Sequence, residues 1–171
     1  MNLLRTFRPH SFVVAALALL PLAATAQGTI LHAPEASKLL PDAVYFAGKS
    51  ANTQLRNSAA IRFSEDRYTL AVLVDTSGYS SAVQEKYQGY LLTEVPLEIG
   101  GHSLPPGAYG VGFVGNHFAV MDIGNHDLLQ APAAHDDSMQ HPLPLQILEG
   151  ASPGAYRLCF GRNSVDFRRA H

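Results

Sequence analysis

Tyr68-Thr69-Leu70-Ala71-Val72-Leu73-Val74, followed by Asp75, is the stretch that decides the fold class. Alternate side chains of an extended chain point the same way, so Tyr68, Leu70, Val72 and Val74 share one face and Asp75 falls on the other. Upstream, the polar connection Ser64-Glu65-Asp66-Arg67 joins this strand to another over Gln54 to Phe63 and reads as a hairpin. Downstream, the same period of two predicts strands at Tyr87 to Thr93, Val95 to Ile99, Gly107 to Val114, His117 to Ile123, Leu145 to Leu148, Ala155 to Phe160 and Ser164 to Arg168, with one more at Ala43 to Ala47. Gly, Asn and Pro punctuate the chain at intervals of about ten residues, as in mainly antiparallel β domains. Gly100-Gly101 suits the positive φ angles of a two-residue primed hairpin turn. The expected fold is all-β, an antiparallel sandwich in preference to a small barrel.

Helix is expected in only two places. Pro34 to Leu40 suits a short helix of two turns, with Pro near its start and Pro41 at its end. Ser77 to Lys86 suits another, with Ser80 or Ser81 as N-cap. Ala131 to Pro144, with three prolines and adjacent aspartates, reads as a long exposed loop. Gly110 and Gly112 sit on the face opposite Tyr109, Val111 and Phe113. Such glycines mark a strongly bent strand or the close approach of another backbone or a ligand, and bending is the preferred expectation.

The first 26 residues look like a processing signal. Arg5 and Arg8 supply a positive n-region, Phe12 to Leu20 an apolar run, and Ala24-Thr25-Ala26 a small-residue cleavage site. The apolar run is too short for the roughly 20 residues of a membrane span. Cleavage after Ala26 leaves 145 of the 171 residues and moves the formal charge from −2 to −4. The expected organisation is a signal peptide at 1–26, a lead-in with a short helix at 27–41 and one β domain at 42–171, free in the periplasm or secreted, with no transmembrane segment after cleavage. The single Cys159 cannot form an internal disulfide and reads as a small buried hydrophobe.

This charge balance gives no basic field for a phosphate backbone, so nucleic acid is not an expected partner. With 47% hydrophobic residues the chain can fill a core. A Gly-x-Ser-x-Gly elbow, a Walker loop, a dinucleotide fingerprint, a His-Glu-x-x-His helix and a Cys-x-x-Cys pair are all missing from the sequence, and no cofactor is expected. Asp75-Thr76-Ser77-Gly78, after an apolar strand, resembles the active-site segment of aspartic proteases, whose two carboxylates share one proton. That resemblance implies a homodimeric hydrolase centred on Asp75. Ser77 stands where that family has glycine, which counts against it. His126 and His135, each beside aspartate, are weak candidates for a metal, because their spacing fits no compact ligand motif. Tyr79, Lys86, Tyr87 and Tyr90 gather around a turn and make the best candidate ligand-binding group, since tyrosine offers rigid amphipathic contact area.

Pro106-Gly107-Ala108-Tyr109-Gly110-Val111-Gly112-Phe113 is similar to Pro153-Gly154-Ala155-Tyr156-Arg157-Leu158-Cys159-Phe160, each feeding a Gly-containing turn and a second strand. Two related hairpins are expected. The segments Asp75 to Ser81, Gln84 to Tyr90 and Leu104-Pro105-Pro106-Gly107-Ala108-Tyr109-Gly110 resemble uncharacterised secreted β-sandwich proteins of acidobacterial type, a family of unknown function. That resemblance implies an exported β domain and supplies no activity. The functional expectation is a non-enzymatic binding or envelope-associated module whose partner is a small apolar molecule or another cell-envelope component. A dimeric aspartic hydrolase and a structural envelope protein without ligand are the alternatives.

Overall fold

A computed structural model of the protein describes residues 27–170. The expected processing signal lies outside the described residues. Among those described, the strands are β1 (Thr29–Leu31), β2 (Ala43–Phe46), β3 (Lys49–Ser64), β4 (Arg67–Val74), β5 (Gly89–Thr93), β6 (Leu97–Ile99) and β7 (His102–Leu104), then β8 (Gly107–Val114), β9 (His117–Met121), β10 (Asp127–Pro132), β11 (Ala134–His135), β12 (Gln146–Glu149), β13 (Ala155–Phe160) and β14 (Asn163–Arg169). A single turn of α-helix, α1 (Ala33–Ala36), runs into a 3-10 turn over Ser37–Leu39, and α2 spans Ser81–Lys86 with Ser80 as N-cap.

All the pairings are antiparallel and fall into two sheets. The larger has eight strands in the order β1-β3-β4-β5-β8-β9-β10, with β2 also on β3, and the smaller has six in the order β12-β13-β14-β6-β7, with β11 also on β14. The sheets pack face to face as a sandwich rather than closing into a barrel. Ile61, Leu91, Val111, Phe118 and Val120 of the larger sheet meet Leu97, Ile147, Tyr156, Leu158, Val165 and Phe167 of the smaller in the main core. Only about 10 Å3 of free space remains among Leu91, Leu97, Phe118, Ile147, Leu158 and their neighbours, less than a ligand needs.

One seam between the sheets is tied by Tyr156, whose hydroxyl lies 2.6 Å from the Gly28 N–H and 3.2 Å from the Gly28 carbonyl. At the other seam the β6–β7 turn presses on Ala131. A Cβ on Gly100 would meet the Ala131 Cβ at 2.5 Å, and Gly100 and Gly101 have φ of 55° and 85°, as their hairpin turn requires.

The two similar hairpins are β8–β9 and β13–β14, one in each sheet. Their equivalent phenylalanines, Phe113 and Phe160, meet edge to face across the sandwich with centroids 5.3 Å apart. The equivalent tyrosines, Tyr109 and Tyr156, are both buried in the main core.

Three features differ from the sequence-based expectation, and a fourth settles what alternation left open. First, Pro34 to Leu40 is not a two-turn helix, because the α turn tightens to 3-10 after Ala36, and the lead-in also contributes β1 to the larger sheet. Second, the segment from Ala131 is not wholly loop. Leu129 and Ala131 turn inward from the edge strand β10, whose exposed polar residues and terminal Pro132 hide the alternation. Third, Gln54 to Asn57 bulges out of β3, since Thr53 pairs with Val74 while Ser58 pairs with Val72. The excursion is held by local bonds, Asn57 to the Gln54 side chain and the Ser58 hydroxyl to the Leu55 carbonyl.

The fourth feature positions the site. Leu70 and Val74, from the stripe that set the fold class, do not face the second sheet. They lie on the outer face of the larger sheet, while Ala71 and Leu73 face inward. The outer face is buried at two places by irregular chain. Ala36 and its neighbours cover Ala60 and Leu70, and the β2–β3 hairpin with the Asp75–Gln88 segment covers Val74 and Met121. Among the described residues no helix is long and apolar enough to cross a membrane.

Candidate functional site

The Asp75–Gln88 segment leaves β4, crosses the outer face and re-enters the larger sheet as β5. Two glycines on β8 make room for this cover, Gly112 for the segment itself and Gly110 for the β2 ring on which Tyr87 stacks. A Cβ on Gly112 would come within 2.4 Å of the Lys86 carbonyl oxygen, and one on Gly110 would come within 2.2 Å of the Phe46 ring. Close approach of backbone and ring, rather than strand bending, therefore accounts for this glycine pair. The expectation of curvature is corrected by these contacts.

Gln88 completes the docking. Its carboxamide oxygen accepts the Phe113 N–H at 3.0 Å and its amide nitrogen donates to the Phe113 carbonyl at 2.9 Å, so a side chain serves as a strand partner just beyond the last β5–β8 pair, Gly89 and Val111. Gln88 and Gly112 fix this segment, yet glutamine has no sequence signal for such a role. The two glycines carried a signal, but one that favoured bending over close approach.

The tyrosine group divides. Tyr87 is fully buried, stacked on Phe46 with centroids 3.8 Å apart. Tyr79 is also buried, edge-on to Tyr87, and its hydroxyl lies 3.0 Å from the Phe46 carbonyl and 3.1 Å from that of Lys49, which ties the turn segment to the β2–β3 hairpin. Tyr90 is half-buried beside them. Burial pushes all three phenols above their ordinary pKa, Tyr87 furthest. The Tyr87 hydroxyl is buried without a hydrogen-bond partner among the described residues. Tyr79 and Tyr87 thus form the hub of a second apolar cluster, and their rings are occupied by one another and by Phe46.

Lys86 is different. At the end of α2 its ammonium binds the Asp127 carboxylate at 2.7 Å, bridging the turn segment to the edge strand β10. Beside this pair lies a recess of about 230 Å3 walled by Ala82, Glu85 and Lys86 from α2 and by Val114, His117, Ala119, Asp127 and Gln130 from β8, β9 and β10. The outward positions of neighbouring strands build its floor. Ala119 pairs with Gln130 in register, and His117 with Val114.

The other candidate residues lie elsewhere. Asp75 sits exposed on a turn where its carboxylate accepts the Ser77 N–H at 3.0 Å. Hydrogen bonds from the Ser77 backbone and hydroxyl lower its pKa, whereas a carboxyl poised to share a proton is pushed up. His126 closes a turn at the start of β10 against Asp122, with its Nδ1 2.9 Å from the carboxylate. His135, on β11, has its Nδ1 2.6 Å from the Asn163 side-chain oxygen and its Nε2 3.2 Å from Asp137. The two histidines flank β10, whose six residues span about 20 Å, and the described residues contain no group of three or more potential metal ligands. Cys159 is fully buried, and burial pushes its thiol up to about 11, so the neutral form persists.

The chain is thus an antiparallel β-sandwich with a polar recess on the outer face of its larger sheet. No protein-family model, no curated protein and no solved structure matches it.

Proposed function

We propose that this protein is an exported, non-enzymatic binding module that recognises a small molecule of the cell envelope or its surroundings at the recess beneath α2. One observation carries the proposal. The interior is filled, while a recess of about 230 Å3 on the outer face brings an ion pair and further polar side chains together with the apolar Ala82, Val114 and Ala119. Small-ligand sites combine an apolar lining with a few placed polar groups in this way. A polar ligand suits that lining better than the apolar one first expected, because the apolar space lies between the sheets and is occupied by side chains. Export is supported by the n-region, the apolar run and the Ala24-Thr25-Ala26 element.

Native mass spectrometry of the full chain, exported into a bacterial periplasm and recovered without chelators, tests both parts. The expected result is the mass of a chain cleaved after Ala26 plus a small adduct. Gln130→Trp, which fills the recess from an exposed edge position, should lose the adduct and keep its fold. A bare mass for the parent protein would overturn the binding function and favour a structural role. An uncleaved chain would overturn export.

A further inference from the structure

The recess has a charge pattern that selects among polar ligands. Lys86 supplies one positive charge, and Glu85 and Asp127 supply two negative ones. A simple anion would meet excess negative charge, and a simple cation would have to settle beside the Lys86 ammonium. A molecule carrying both charges satisfies both walls. The Lys86 ammonium has three donors and gives one to Asp127, which leaves two for a carboxylate. The carboxylate of Glu85 and the second oxygen of Asp127 remain as acceptors for an ammonium, with no hydrogen bond to a described residue. His117 and Gln130 add groups able to donate or accept.

Size and shape narrow the class further. The recess has the volume of about eight waters at ~30 Å3 each, enough for a ligand of about ten heavy atoms. Among the described residues that line it none is Phe, Tyr or Trp, so a sugar or a nucleobase finds no broad stacking platform there. Ala82, Val114 and Ala119 instead offer a small apolar surface suited to a short aliphatic side chain.

We infer that the recess between α2 and β8–β10 takes an α-amino acid, its carboxylate held by Lys86 and its ammonium by Glu85 and Asp127. This rests on the recess being the binding site, as proposed above.

The test is a two-dimensional NMR titration of the isotope-labelled full chain with L-alanine, acetate, methylammonium and glucose in turn. L-alanine should shift the amides of residues 82–86, 117–119 and 127–130 saturably, while acetate and methylammonium, each offering half of the charge pattern, should bind at least about tenfold more weakly, the loss expected for one charge-assisted hydrogen bond. Lys86→Gln and Asp127→Asn should each weaken L-alanine by a similar factor while the remaining amides keep their positions, which verifies the fold. Saturable shifts at the same amides by glucose, or by acetate as strongly as by L-alanine, would overturn the amino-acid assignment and leave the recess as a binding site. Shifts by none of the four probes would also overturn it, and the adduct in native mass spectrometry then decides separately whether the recess binds anything. L-alanine shifts elsewhere on the surface would overturn the placement.

Discussion

The two faces of the larger sheet are buried by different means. On the inner face, large side chains alternate along regular strands and interlock with those of the second sheet, as Phe118 and Val120 do with the smaller sheet's Leu158 and Phe167. On the outer face, the covering chain is irregular and the sheet meets it with the small residues Ala60, Gly110 and Gly112 beside Leu70, Val74 and Met121, while aromatic rings come from the cover, Phe46, Tyr79 and Tyr87. One face buries area by pairing like with like. The other does so by leaving space on the sheet for rings and backbone that arrive from distant chain. The recess lies at the border of that second arrangement, where α2 stops covering β9 and β10.

If the two faces are equally well packed, truncating a ring in either should cost the same. Phe118 and Phe46 are both completely buried, so Phe118→Ala and Phe46→Ala should each destabilise the domain by about 3–5 kcal/mol in urea unfolding. A cost below about 1 kcal/mol for Phe46→Ala alone, the level of ordinary surface substitutions, would mean that the outer cover adds little to the fold.

Glycine substitutions sharpen the contrast. Gly112→Val puts a branched side chain where a Cβ already meets the Lys86 carbonyl at 2.4 Å, and the neighbour is backbone that cannot swing away. Overpacking of this kind costs about 1–3 kcal/mol. Its signature should be local, with hydrogen exchange accelerated over residues 81–88 more than over β13 and β14. Gly78→Ala is the control, since a Cβ there has nothing within 4 Å and no positive φ is needed, and its effect should stay within about 0.5 kcal/mol.

Tyr87→Phe is expected to work in the opposite direction. Removing a buried hydroxyl without a partner should gain about 1 kcal/mol at neutral pH. Burial raises the Tyr87 pKa above its ordinary 10.0. The folded state therefore binds the phenolic proton more tightly than the unfolded state. Stability from this group is complete below about pH 10 and falls as the pH rises above that value. The gain of Tyr87→Phe over the parent should then widen between about pH 10 and pH 12, as measured by urea midpoints across that range. A constant gap would mean that the hydroxyl reaches water or a partner in solution.

The contrast between the faces also explains what could be read in advance. Strands β8 and β13 have the bounds expected from alternation, Gly107 to Val114 and Ala155 to Phe160, because each places a Tyr and a Phe on one core-facing side after a Pro-Gly turn. The Gly100-Gly101 turn and α2 were legible for similarly local reasons, turn chemistry and an N-cap serine. The stripe Tyr68, Leu70, Val72, Val74 revealed a strand but not which layer it faces, since alternation fixes a period and leaves the identity of the cover open. Tyr79 and Tyr87 looked like exposed contact residues because Phe46, the ring that takes up their faces, lies more than 30 residues upstream. Of that group Lys86 alone lines the recess. Its partners His117, Asp127 and Gln130 come from strands brought beside α2 by the topology, which no local pattern announces.

The smallest stability effect should come from the residues that matter most for recognition. The side chains of Lys86 and Asp127 are 27% and 54% exposed, and exposed ion pairs contribute about 0–1 kcal/mol with salt screening what remains. Lys86→Gln should therefore lower the unfolding free energy measured in urea by less than about 1 kcal/mol, and by still less in 1 M salt. The docking of α2 rests on Gly112 and the Gln88 carboxamide, whereas the ion pair at its end contributes little to holding it down. Charges that a fold scarcely needs, held beside a recess by backbone fixed through other contacts, are free to exchange partners with a ligand. A loss of several kcal/mol in Lys86→Gln would instead make the pair a structural clasp and would close the recess as a site of recognition.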